Sequence, residues 1–331
     1  MRVKSKSIVL LLLLLFTILV VANPMDSSYI QATDLTGINV AVYEGVTNEQ
    51  SSSLSSRTAL FWMFRWMNAT VEVVTAAEIR NGILYDYDIV VVPGGWAWAY
   101  FQDLGVVGVS MIRQFVEDGG AFFGVCAGAY FACDGIRWEG EYIEYSLDLY
   151  PNVGNGPIEE IAAWPNYNMT VINLNKGTEG PVLSGEPDTH AVMYYGGPYF
   201  ETTGTDGVLT LAKYDVNDEA AIIAYEYGQG RIALSGPHVE WEEDSDRDEV
   251  VWENAFDDEG SEWNMMLEIS LWISEGHSPT SPMTNIATTS STQSTDPSST
   301  RPSLEIMIGF VGILVFIATG IIVSKTRKRV F

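Results

Sequence analysis

Apolar positions along the chain fall into two periods. Short runs at 38–43 (INVAVY), 71–74, 88–92 and 121–125 have strand length and little polar interruption, which predicts buried strands. Between them, 52–67 carries Leu54, Leu60, Phe61 and Phe64 at helical spacing, and 106–116 does the same before Gly119-Gly120. A further helix is expected from Ala127. Apolar strands alternating with helices predict an α/β fold, a parallel sheet covered on both faces. The second half reads as richer in strands, at 170–174, 191–195 and 208–212. A hairpin is expected from 221–227 and 231–235 around Gly228-Gln229-Gly230. Helical spacing returns at 262–274 and closes a folded unit of 38–275.

The two ends have a different pattern. Arg2, Lys4 and Lys6 precede an apolar run at 8–22, the layout of a signal peptide over 1–22, with an uncleaved signal anchor as the alternative reading. At the other end, 18 apolar residues at 306–323 are followed by Lys325, Arg327, Lys328 and Arg329. This predicts a transmembrane helix at 304–323 and a basic cytoplasmic tail at 324–331. Residues 277–303 hold 15 Ser or Thr and 4 Pro among 27, a composition that builds no core and reads as an extended stalk. The expectation is a single-pass protein of the cell membrane whose folded domain faces outside the cytoplasm. Asn68-Ala69-Thr70 and Asn168-Met169-Thr170 are glycosylation sequons, which suits export.

Charge sharpens this division. The chain carries 17 Lys+Arg against 43 Asp+Glu, a formal charge of −26. Seven of the basic residues lie in the two ends, so 23–303 has 10 basic and 42 acidic residues, a balance of −32. Such a surface excludes nucleic acid as a partner. A hydrophobic fraction of 47% excludes an acidic disordered chain. Two cysteines are too few for a disulfide scaffold, and no metal site or cofactor is expected.

Chemistry concentrates at Gly124-Val125-Cys126-Ala127-Gly128-Ala129-Tyr130. A buried strand runs into Cys126 and a helix leaves it, with small residues on both sides. These are the mechanics of a nucleophile elbow. A helix N-terminus favours a negative group there, and the Ala127 N–H could serve an oxyanion. The alternative is that Cys126 is a small buried hydrophobe. Cys133, placed on the same helix, would sit about 10.5 Å away, too far for a disulfide. Pro93-Gly94-Gly95 ends the third strand at the edge where open α/β sheets bind ligands, and the Gly94 and Gly95 N–H groups could complete an oxyanion hole. In Gly236-Pro237-His238-Val239-Glu240, alternation points His238 and Glu240 the same way, so that Glu240 could orient the imidazole. The alternative is a surface histidine beside acidic residues.

PGG, GVCAGAY and GPHVE in this order resemble the class I glutamine amidotransferase-like superfamily. The PGG turn with Tyr100 downstream, the CAGAY elbow, the LxLxP…GPI segment at 147–158 and the YYGGPYF segment at 194–200 are similar to the biotin-protein ligase N-terminal domain-like family. The resemblance covers about 38–274. It implies a flavodoxin-like fold with Cys126 as nucleophile, His238 as base and Glu240 as orienter. It also implies Gly94, Gly95 and Ala127 as oxyanion donors, and Tyr195, Gly196 and Gly197 at the mouth of the site. The sequence holds no ligase catalytic half, so biotin transfer is not implied. The expected activity is a cysteine-dependent amidase or peptidase-like hydrolase acting on a small amide or a peptide. The alternative is a non-catalytic surface binding module on the same fold.

Three smaller features complete the reading. Glu44 follows the first strand at the same edge and is a candidate to touch the thiol. His190 is the other candidate base. The acidic segment 244–249 starts like a calcium loop, but Glu249 and Ala255 stand where Gly and Glu are needed. It is expected to be a solvated acidic face.

Overall fold

The computed structural model describes residues 33–45, 52–144, 147–177, 179–242, 245–256 and 260–275. The expected signal, stalk, transmembrane helix and tail lie outside the described residues. Among the described residues no helix is long and apolar enough to cross a membrane.

Five strands form the parallel centre: β1 (Asn39–Tyr43), β2 (Thr70–Val74), β3 (Ile89–Val92), β4 (Ala121–Val125) and β13 (Gly230–Ser235). They lie in the order β2-β1-β3-β4-β13, with every adjacent pair parallel. Chain order reverses between β1 and β3, which opens a crevice at the strand C-termini, as in flavodoxin-like sheets. Alternation along each strand supplies two cores. Val40, Val42, Ile89, Val91 and Phe123 face one layer, where they meet Leu60, Met63 and Phe64 of α1 (Ser52–Trp66) and Met266 and Ile269 of α5 (Trp263–Ser274). Ala41, Tyr43, Val90, Val92 and Phe122 face the other, against Ile79 of α2 (Ala76–Arg80) and Ile112 and Phe115 of α3 (Ala97–Glu117). Both faces are therefore covered by helices, as the continuous apolar strands require.

The second half extends the same sheet. β12 (Ala220–Tyr227) pairs antiparallel with β13 through the expected hairpin. Beyond it lie β10 (Tyr199–Phe200), β7 (Tyr150–Gly156), β5 (Cys133–Trp138) and β6 (Glu141–Glu144). β11 (Leu209–Tyr214), β8 (Asn168–Leu174) and β9 (Thr189–Tyr194) branch from β12. Apart from the parallel β5–β7 pair, these joins are antiparallel.

Two local expectations are corrected. The helix after Cys126, α4 (Ala127–Ala132), has only six residues, and Cys133 opens β5 instead of continuing it. Both cysteines are nonetheless free and buried. The helix at 106–116 is the second part of α3, which begins at Ala97 and breaks at Gly105, where φ is 59°. That left-handed conformation suits glycine.

Candidate functional site

The sheet edge assembles the site from four chain segments. Cys126 sits between β4 and α4 with φ 49° and ψ −105°, a conformation strained for any residue with a side chain. Its N–H donates to Ser235 O at 2.8 Å, and its carbonyl accepts from Tyr130 N–H at 2.9 Å. Such a turn survives only where the packing leaves no alternative. A Cβ on Gly128 would lie 2.1 Å from Val92 O, and one on Gly124 would lie 2.7 Å from Gly128 O. The elbow is therefore clamped against β3, and Gly128 N–H donates to Pro93 O at 3.1 Å.

His238 follows β13 and bridges to Met193 of β9, donating its backbone N–H to Met193 O at 2.8 Å. Its ring Nδ1 lies 2.8 Å from Glu240 Oε1. A carboxylate only accepts, so Nδ1 carries the proton bound to Glu240, and the Cys126 side chain acts on the same imidazole electrostatically. Both His238 (1% exposed) and Glu240 (0%) are buried, which removes the surface-histidine alternative. Burial pulls the imidazole toward its neutral form, but the Coulombic pull of Glu240 and Cys126, with the hydrogen bond to Glu240, raises it to about 10. Trp241 stacks flat on the imidazole, with centroids 3.8 Å apart and planes 9° apart. An indole face is also attractive to an imidazolium.

Gly94 departs from its expected part. Its N–H donates to Ser56 Oγ at 2.8 Å and so does not open into the site. A Cβ there would lie 2.5 Å from His238 Cε1, so Gly94 is needed for close approach to the ring. Gly95, at φ 145°, and Ala127 form no backbone N–H hydrogen bond among the described residues. Ala127 has one of the unpaired donors of a helix first turn.

The expected pocket residues separate. Cys126 is 7% exposed, and its Sγ donates to Tyr195 O at 3.6 Å. Gly196 O accepts from Tyr130 Oη at 3.2 Å and Gly197 O from Tyr194 Oη at 3.0 Å, while a Cβ on Gly197 would lie 1.8 Å from Gly236 O. Gly196 thereby ties the 194–200 segment to the elbow helix, and Gly197 packs against Gly236 before His238. Tyr100 is buried beneath the PGG turn, donating to Gly94 O at 2.7 Å, and supports the turn without lining the site. Glu44 stands after β1 at this edge, yet its hydrogen bonds among the described residues use its backbone, to Val74 and Arg57. His190 is a clear correction. It lies at the other end of β9, about 16 Å along an extended strand from Tyr195, with Nδ1 3.4 Å from Glu262 Oε1. Its burial, then Lys176, keeps it below its ordinary pKa.

The acidic segment is exposed at Asp246 and Glu249, as expected, and is corrected at Asp248. Asp248 is fully buried, its carboxylate accepting from Glu242 N–H and Val250 N–H, and Arg247 packs over Trp66 and Trp263 while pairing with Glu242. Burial, foremost, and Asp248 raise buried Glu253 to about 7. No cluster of three or more metal-ligating side chains occurs among the described residues. Asn68 and Asn168 are both exposed, with the Asn68 amide tied to Asp34 at 2.9 Å.

The sequence pattern did not disclose Ser56 or the stack of Trp241. Ser56 lies 184 residues from Glu240 and sits on an ordinary helix face. Trp241 reads as one more core aromatic, although its place beside Glu240 was a usable signal. Aromatic contacts continue outward from it. Trp241 meets Trp252, Trp252 meets Tyr167, and Tyr167 meets Tyr195, which stacks on Trp164.

The chain is similar to several known proteins. It is 30% identical to an uncharacterized protein of Chlamydia muridarum (strain MoPn / Nigg) over 161 residues, 46% of this chain and 60% of that one. It is 26% identical to the biotin–protein ligase of Schizosaccharomyces pombe over 167 residues, 46% of this chain and 25% of the ligase. The matches thus span less than two thirds of either relative. Among solved structures, a glutamine amidotransferase aligns at 18% identity and TM-score 0.43, over 61% of this chain and 90% of that one. A ThuA-like protein from Bacteroides uniformis aligns at 11% identity and TM-score 0.47, over 75% and 96%. A family model described as "Biotin-protein ligase, N terminal" matches residues 38–262, most of the folded unit, and the chain belongs to that family.

Proposed function

We propose that the chain is a cysteine-dependent amide hydrolase. The observation that supports this reading is the buried His238–Glu240 hydrogen bond of 2.8 Å, whose imidazole is acted on by Cys126 of the elbow. Cys126 thiolate attacks the carbonyl carbon of an amide, and the oxyanion so formed is received by the Ala127 and Gly95 N–H groups. As the C–N bond breaks, His238 gives its proton to the departing amine and a thioester remains on Cys126. Water then attacks the thioester. His238 takes a proton from it, the thiolate leaves and a carboxylic acid is released. Glu240 fixes the tautomer and holds the imidazolium. In this reading the protein is tethered by the 304–323 helix, with its domain outside the cytoplasm.

One observation favours a second reading, a binding module without turnover. Trp241 covers one face of the imidazole and Cys126 is 7% exposed, so the site is closed to all but a narrow approach. Hydrolysis of a panel of glutamine and peptide amides by the wild type and Cys126→Ala separates the two. Turnover lost in Cys126→Ala is expected. Turnover equal in both proteins, or ligand binding and cellular function intact without Cys126, contradicts the hydrolase.

A further inference from the structure

Ser56 occupies a costly position. It lies within α1, is 0% exposed and is surrounded by the core. A hydroxyl in such a place is unfavourable unless it is hydrogen-bonded. A serine or threonine within a helix can satisfy itself on the carbonyl one turn back, as Thr58 Oγ1 does on Leu54 O at 2.8 Å. Ser56 instead reaches out of its helix in two directions. Its Oγ donates to Glu240 Oε1 at 2.6 Å and accepts from Gly94 N–H at 2.8 Å.

These two bonds fall on both halves of the site. Glu240 Oε1 is the same oxygen that receives His238 Nδ1–H, and the buried Oε2 has no hydrogen-bond partner among the described residues. The carboxylate is therefore oriented through one oxygen by two donors, the imidazole and Ser56. On the other side, Gly94 precedes Gly95, so its N–H bond sets the tilt of the turn that faces the elbow. We infer that Ser56 is a positioning residue for the amide-hydrolysing site, one hydroxyl that aligns the His238–Glu240 pair with the Gly94-Gly95 turn. This rests on the hydrolase reading for its consequence in rate, but not for its consequence in geometry.

The charged group that meets this hydroxyl is Glu240, which acts in turn on His238 and, through space, on Glu253; Cys126 acts on the same imidazole. Losing a hydrogen bond to a charged group is enough for a tenfold effect. The test uses the full chain as wild type, Ser56→Ala and Ser56→Thr, with the imidazole signals of His238 followed by NMR and identified through His238→Gln. Alkylation of Cys126 by iodoacetamide is measured in the same three proteins. In Ser56→Ala the His238 Nδ1–H resonance is expected to move and exchange faster, and Cys126 alkylation at neutral pH to fall about tenfold. Ser56→Thr, which keeps the hydroxyl, restores both. An unchanged His238 resonance in folded Ser56→Ala overturns the inference, even where Cys126 alkylation changes. If wild-type Cys126 reacts as an ordinary thiol, the hydrolase reading fails, and the NMR comparison still decides the role of Ser56. Should Ser56→Ala not fold, Ser56→Cys, which lacks a strong donor, takes its place: a moved His238 resonance in Ser56→Cys beside a wild-type one in Ser56→Thr supports the inference, and equal spectra in the Thr and Cys variants overturn it.

Discussion

Replacing Glu240 with glutamine gives a direct reading of the buried charge. The amide keeps an acceptor for His238 Nδ1–H and for Ser56, but it removes the anion that holds the imidazolium. In the wild type, His238 is raised from 6.5 to about 10. A group raised in the folded state contributes stability that is fully present below 6.5 and is lost as pH climbs toward 10. At about 1.4 kcal/mol per unit, the full swing is on the order of 4–5 kcal/mol. Solvent does little to reduce it, because the ring is only 1% exposed. In Glu240→Gln, burial is left opposed by Cys126 alone, and the histidine falls back toward its neutral form. Urea unfolding followed by tryptophan fluorescence at several pH values between 6.5 and 10 measures both proteins. The stability of the wild type minus that of the variant should decline by several kcal/mol across this window. A difference that stays level would show that Glu240 does not hold a charged imidazole.

Three further outcomes are expected. Gly128→Ala places a methyl group 2.1 Å from Val92 O, so the elbow must shift, and thermal unfolding should show a loss of about 1–3 kcal/mol; an unchanged Tm would mean the elbow is not clamped on β3. Trp241→Leu empties part of a fully buried site and bares the imidazole face, which should cost on the order of 2–4 kcal/mol in urea unfolding, with a cost under about 0.5 kcal/mol contradicting the stack as a packing element. Glu253 is raised from 4.5 to about 7, so its contribution to stability falls as pH rises through that range; Glu253→Gln should therefore gain about 1–2 kcal/mol over the wild type between pH 5 and 8, and no gain would refute the cost assigned to a buried Glu253 carboxylate beside Asp248.

What could be read without coordinates follows the physics of each element. The parallel centre was legible because its strands are buried on both faces and leave uninterrupted apolar runs, and the expected 121–125 strand coincides with β4. β5, β6 and β7 were not, because Cys133–Trp138 and Tyr150–Gly156 carry Asp, Gly, Asn and Pro, and Glu141–Glu144 is wholly exposed. Their pairing depends on partners distant in sequence and not on local pattern. Cys126, His238 and Glu240 were legible because a strand-turn-helix junction and a two-residue alternation are local features. Gly94 was misassigned for a tertiary reason. Its N–H looks free in the sequence and is taken by a hydroxyl 38 residues away. His190 failed similarly, since a strand carries its first and last residues to opposite ends of the sheet.

The central claim is that Cys126 is an activated nucleophile served by His238. Its most direct test is the rate of iodoacetamide modification of Cys126 across pH, followed by peptide mass spectrometry, in wild type and His238→Ala. A thiol served by His238 is modified faster than an unassisted one, and this excess rate should disappear in His238→Ala. A wild-type profile that rises only with ordinary thiol ionisation and coincides with that of His238→Ala would contradict the account.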